Sequence, residues 1–134
     1  MRKLDETTWV AGQIRPEDVP EIAARGIRTI VNNRPNDEEP GQPRAGEIEA
    51  AARAAGLGYR WIPVAHGLRP EQIEDMAEAL EAGPALIFCR SGTRSAYLWA
   101  LARSRRGTGG DTLLRQAADA GYDLTSIRRL LGAS

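Results

Sequence analysis

The residues Cys89-Arg90-Ser91-Gly92-Thr93-Arg94-Ser95 hold the chain's single cysteine, with four residues separating it from Arg94. A thiol attacks electrophiles as its thiolate, so the question is whether the neighbours favour that anion. An apolar run, Ala85-Leu86-Ile87-Phe88, comes just before, and an alanine- and leucine-rich segment follows. The pattern reads as strand, tight loop, helix. A loop entering a helix points successive backbone N–H groups inward, and the helix dipole adds partial positive charge. Such a cradle, here Arg90, Ser91, Gly92, Thr93 and Arg94, is expected to stabilise a bound anion and equally a thiolate at Cys89. Arg94 is a fixed cation whose guanidinium can hold an oxyanion through two hydrogen bonds. Gly92 relieves crowding in the turn. Ser95 can hydrogen-bond the sulfur or protonate a leaving thiolate, and it suits the helix N-cap. A free cysteine more often ends a core strand as a small hydrophobe, but that role requires no such loop after it.

The elements that must position this loop alternate regularly. Three further β-rich runs precede it: Thr8 to Gly12, Ile27 to Asn32 and Tyr59 to Val64, each closed by breakers or polar residues. Between them lie helical segments. The first runs from Pro16 to Arg25, with proline suited to a first turn and Gly26 to a stop. The second runs from about Arg44 to Ala55, and the third from Pro70 to Ala82. Ile48, Ala51, Ala52 and Ala55 fall at i, i+3, i+4 and i+7, as do Ile73, Met76, Ala77 and Leu80, so each helix buries one stripe. The fold class is α/β, a mainly parallel central sheet of about four or five strands flanked by helices. After Arg106, Gly107-Thr108-Gly109-Gly110 opens two short amphipathic segments, around Asp111 to Ala120 and Thr125 to Leu131. They are expected to form a C-terminal helical cap over 108–134 of a single domain, 1–134. Trp61 in a strand and Trp99 in a helix are expected in the core.

In an open α/β sheet ligands sit beyond the carboxyl ends of the strands. Asn32, Asn33 and Arg34 should therefore share a rim with Cys89, either orienting a substrate or satisfying the backbone of the loop that follows. Arg69 and Arg90 are candidates to add positive field at the mouth.

Composition limits the partners. Eighteen Lys and Arg balance eighteen Asp and Glu, so net charge offers no reason to bind nucleic acid or a membrane, and any anion site must be local. One cysteine excludes an internal disulfide. With neither a signal-peptide pattern nor an apolar run long enough to span a bilayer, a cytoplasmic location is expected. No cofactor and no metal are called for. The expected partner is a phosphate- or sulfur-bearing substrate.

The blocks "CRSGTRSA", "VAGQIRPED", "TIVNNRPNDEEPGQP" and "YRWIPV" resemble the bacterial beta-lactamase-hydrolase-like proteins, phosphatase-like domain, from about Trp9 to Arg103; some members are described as sulfur transferases. The resemblance implies a fold like that of the dual-specificity phosphatases, with Cys89 as nucleophile, Arg94 as anion-binding arginine and a cysteinyl-phosphate intermediate. Cysteine phosphatases place five residues between cysteine and arginine. The four here are similar to active loops of rhodanese sulfurtransferases, so a persulfide carrier on Cys89 and a non-catalytic anion-binding module stand as alternatives to the phosphatase. Such phosphatases also use an aspartate as general acid on the loop after the preceding strand. That loop here reads Ala65-His66-Gly67-Leu68-Arg69, without aspartate. His66, the only histidine, can donate a proton near neutral pH. Asp37, Glu38 and Glu39 are the other candidate donors.

Overall fold

The computed structural model describes all 134 residues. Its strands are β1 (Arg2–Asp5), β2 (Thr8–Ala11), β3 (Thr29–Asn32), β4 (Gly58–Trp61) and β5 (Ala85–Phe88). Its helices are α1 (Val19–Ala24), α2 (Ala45–Ala54), α3 (Pro70–Glu81), α4 (Thr93–Arg105) and α5 (Gly110–Asp119). The strands form one sheet in the order β1-β2-β5-β3-β4. β2, β5, β3 and β4 are parallel, and β1 pairs antiparallel with β2.

β5 is the centre of this arrangement, and its residues explain why. Ala85, Leu86, Ile87 and Phe88 are all fully buried, as a parallel strand covered on both faces must be. Leu86 and Phe88 join Ile22, Ile30 and Ile48 in an apolar layer beneath α1 and α2. Ala85 and Ile87 point the other way, with Val10 and Val31, into the larger layer built by α3, α4 and α5 around Met76, Leu98, Trp99 and Leu113. Helix α4, which begins at the candidate loop, is further tied to β1: Trp99 Nε1–H donates to Asp5 Oδ2 at 2.8 Å and Arg103 Nε–H to the same oxygen at 3.0 Å. Burial disfavours ionisation of Asp5, but these donors and the nearby threonines outweigh it and hold its carboxyl below the usual range.

Several expected boundaries move. β1 was not anticipated: Arg2-Lys3-Leu4-Asp5 has one apolar residue and no alternation long enough to read, a composition that suits a charged edge strand. The first helix divides into a 3-10 turn (Pro16–Asp18) and α1. The strand expected over Tyr59 to Val64 ends at Trp61, although Ile62 and Val64 N–H groups still reach the carbonyls of Asn32 and Asn33. Trp61 itself is 44% exposed, contrary to its expected burial, because β4 is an edge strand; Trp99 is fully buried. The last expected segment keeps only a 3-10 turn, Thr125–Ile127. No helix is long and apolar enough to cross a membrane.

Candidate active site

The register brings the site together at the carboxyl end of the sheet. Ala11 and Asn32 both pair with Phe88, so Gly12, Cys89 and Asn33 leave three adjacent strands side by side. Cys89 is 1% exposed, and its Sγ accepts a hydrogen bond from the Gly92 N–H at 3.1 Å. Gly92 is the N-cap of α4 with φ 95°, a left-handed conformation that glycine adopts without cost. The Gln13 N–H donates to the Arg90 carbonyl at 3.1 Å. A β-carbon at Gly12 would stand only 2.9 Å from that same oxygen, so glycine is needed for the close approach. The hydroxyls of Ser91 and Thr93 hydrogen-bond each other at 3.1 Å.

Arg94, in the first turn of α4, is held by partners distant in sequence. Its Nη1 donates to Glu38 Oε2 at 2.7 Å and to the Val64 carbonyl at 2.8 Å, and Nη2 donates to Glu38 Oε1 at 2.8 Å. A guanidinium has five N–H donors. Nε–H and the second Nη2 proton, the side fork that matches two oxygens of an oxyanion, are left over. The Glu38 hydrogen bond chiefly raises the Arg94 pKa; burial opposes it, and the nearby Cys89 sulfur adds to it.

Glu38 also accepts from Nε of Arg34 at 2.8 Å. Caught between two guanidiniums, its carboxyl is lowered from 4.5 to about 2, first by the Arg94 hydrogen bond. A group so acidic is ionised at neutral pH, and this removes Glu38 from the candidate proton donors. Arg34 is 1% exposed. Its Nη2 donates to Glu39 Oε1 at 3.0 Å and its Nη1 to Gln13 Oε1 at 3.1 Å. Glu39 in turn lies 3.8 Å from the exposed Arg90. Asp37 pairs instead with Arg44 at the surface.

Asn32, Asn33 and Arg34 stand on the expected rim, but all three are buried and spend their side chains within the protein. Asn32 Oδ1 accepts from the Arg34 N–H, and its Nδ2 donates to Tyr59 Oη. Asn33 Nδ2 donates to the Ile62 carbonyl, while its Oδ1 accepts the Ser95 hydroxyl at 2.7 Å. The proposed contact between substrate and these side chains gives way to a bracing role, because buried polar atoms must be satisfied internally. Ser95 is likewise corrected: the N-cap is Gly92, and the Ser95 proton points to Asn33 rather than the sulfur. His66 is exposed and lines a cleft of about 550 Å³ with Trp61, Arg69 and Gln72, two residues beyond the Val64 carbonyl that Arg94 contacts. Sequence reasoning missed Gln13, whose main chain touches the loop, and Tyr122, whose phenol does. Neither lies in a chemically suggestive motif.

A mostly parallel sheet whose central strand delivers a cysteine into a helix-opening loop, with an arginine in the first turn, is the architecture of the cysteine phosphatases. A solved structure bears out that fold: Tk-PTP, solved in its active form, superposes with a TM-score of 0.70 at 18% identity over 97% of this chain and 91% of its own, a likeness of fold. A candidate phosphatase from Neisseria meningitidis superposes with a TM-score of 0.82 at 34% identity, covering 97% of this chain and 94% of that one. The family described as beta-lactamase hydrolase-like protein, phosphatase-like domain, matches residues 1–106, and the chain belongs to it. A beta-lactamase hydrolase-like protein of Agrobacterium fabrum is 38% identical over 111 residues, 78% of this chain. The match spans about a quarter of that relative's length, 25%.

Proposed function

We propose that the protein is a cysteine-dependent phosphatase acting on small phosphate esters. The observation that carries this reading is the Gly92 N–H directed at Cys89 Sγ, 3.1 Å away, in the loop from which Arg94 presents an unused side fork. In the proposed reaction the Cys89 thiolate attacks phosphorus and the ester P–O bond breaks, its electron pair leaving with the alcohol oxygen. Water then attacks the cysteinyl-phosphate, the S–P bond breaks, and phosphate and thiolate are released. Gly92 N–H, its neighbours in the loop and the Arg94 fork would hold the equatorial oxygens as charge develops on them. Because Cys89 is 1% exposed, a phosphorus atom reaches it only from within the cradle.

An aryl ester needs no proton on its leaving oxygen, whereas an alkyl ester does. With Glu38 held ionised, His66 is the proposed donor for the latter. The four-residue spacing favours a second reading, transfer of a sulfane sulfur through a Cys89 persulfide. One experiment separates the two. The wild type and Cys89→Ser are assayed with p-nitrophenyl phosphate and, separately, with thiosulfate plus cyanide, and the intact protein is weighed after rapid quenching. Cys89-dependent phenolate release with a trapped phosphoryl group supports the phosphatase. Thiocyanate production with an added sulfur overturns it in favour of the carrier, and absence of both leaves the anion-binding module.

A further inference from the structure

The Ser91 carbonyl and the Gly92 N–H belong to one peptide unit, and in a trans peptide the two point in opposite directions. Here the N–H end is directed inward at Cys89 Sγ, 3.1 Å away. At the other end the Tyr122 hydroxyl donates to the Ser91 carbonyl at 3.0 Å. One peptide plane is thus pinned from both sides.

The phenol also lies against the glycine. A β-carbon at Gly92 would come within 3 Å of both the Tyr122 hydroxyl and its ring carbon Cζ. Burial raises the pKa of the Tyr122 phenol, and the charge of Cys89 raises it further, which keeps the proton that makes this bond. The neighbouring peptide is held by a different donor: Gln13 N–H bonds the Arg90 carbonyl at 3.1 Å, which fixes the plane of the Arg90–Ser91 peptide. Gly92 most needs such restraint, because a glycine can exchange φ near 95° for other conformations at little cost. A rotated Ser91–Gly92 peptide would present a carbonyl oxygen to the sulfur and to any bound anion.

Tyr122 follows α5, beyond the residues 1–106 that match the family. Its ring packs on the larger apolar layer, and its N–H is bonded to the Ala117 carbonyl at 2.8 Å. The position of the phenol therefore depends on the C-terminal segment as a whole.

We propose that Tyr122 is a positioning residue for the anion cradle, its hydroxyl holding the Ser91–Gly92 peptide with the Gly92 N–H toward Cys89. The C-terminal segment completes the site rather than merely covering the sheet. This deepens the phosphatase reading and rests on it for the effect on turnover, but the peptide orientation can be tested apart from any activity.

The test compares Tyr122→Phe, which keeps the ring and removes the hydroxyl, with Tyr97→Phe as a control. Tyr97, on α4, bonds Ser126 of the same cap at 2.7 Å and reaches the Asp123 carbonyl at 3.5 Å, but its hydroxyl makes no hydrogen bond to the cysteine loop. In the Tyr122 variant the amide resonance of Gly92 should shift or broaden; in the control it should remain in place. With p-nitrophenyl phosphate, kcat/KM of Tyr122→Phe should fall about tenfold, the scale of one lost hydrogen bond, and inorganic phosphate should inhibit correspondingly less. An unchanged Gly92 amide, or wild-type turnover and phosphate inhibition in Tyr122→Phe, overturns the proposal. A wild type that releases no phenolate sinks the phosphatase reading alone, and the Gly92 amide then decides the role of Tyr122.

Discussion

Replacing Glu38 with glutamine removes one negative charge from between two arginines while keeping the side chain's shape. The pH dependence of the cost follows from the geometry. The carboxyl is lowered from 4.5 to about 2, which at about 1.4 kcal/mol per pH unit sets an upper bound of about 3.5 kcal/mol. Glu38 retains 27% side-chain exposure, so solvent screening reduces this to about 1–2 kcal/mol. Arg34 keeps Glu39 and Gln13 and is not left unpaired, which avoids the larger penalty of an orphaned buried charge. The sign is that of a depressed acid: the stabilisation is complete above about pH 4.5 and disappears as pH falls through about 2. Urea unfolding of the wild type and Glu38→Gln should therefore differ by about 1–2 kcal/mol at pH 7, equivalent to a Tm lower by roughly 4–8 °C. At pH 3 the gap should shrink to somewhat under half its neutral value, about what the linkage relation gives. A gap that is the same at both pH values, or absent at pH 7, would refute the bridged carboxylate.

Arg94→Lys keeps the charge but loses the fork, so inorganic phosphate should protect Cys89 from iodoacetamide about tenfold less well than in the wild type; equal protection removes Arg94 from the cradle. Gly12→Ala forces a β-carbon to 2.9 Å from the Arg90 carbonyl, and kcat/KM with an aryl phosphate should fall about tenfold or more as the loop shifts, a loss that an unchanged kcat/KM would contradict. Trp99→Ala, at a fully buried site that also supplies a donor to Asp5, should cost about 3–5 kcal/mol by urea unfolding, and a change below about 1 kcal/mol would mean that α4 is not anchored there.

The parts of this molecule legible in its sequence are those specified by local pattern. β5 announces itself because Ala85 to Phe88 is apolar on both faces, and α2 and α3 because their apolar residues recur on one side. The cysteine loop is legible because its glycine, hydroxyls and arginines form a contiguous motif. What escaped depends on contacts between distant segments. The Asp37-Glu38-Glu39 run reads as a solvated acidic face, yet Glu38 meets Arg94 across 56 positions. Asn32 to Arg34 look free to meet a substrate until the loop after β3 folds back and surrounds Arg34. Tyr122 lies 31 positions from Ser91, in a segment whose only visible signal is amphipathicity. β1 was lost for a different reason: an edge strand gains its pairing from β2, not from its own composition.

The charge balance of the site shows how the proposed anion selectivity is compatible with a formal net charge of +0. Arg34, fully buried, demands compensation, and Glu38 and Glu39 supply it. Both carboxylates are then shared outward, Glu38 with Arg94 and Glu39 with Arg90. Three cations and two anions thus form one connected cluster with a single positive charge in excess. That excess is not presented by Arg34, which is 1% exposed and enclosed by Glu38, Glu39 and Gln13. Arg90 is exposed and screened by water. Arg94 alone combines partial burial with an open pair of donors, and it stands beside the sulfur. The glutamates consequently serve two ends: they make burial of Arg34 tolerable, and they fix the Arg94 guanidinium so that its unsatisfied edge can receive an oxyanion held against Cys89.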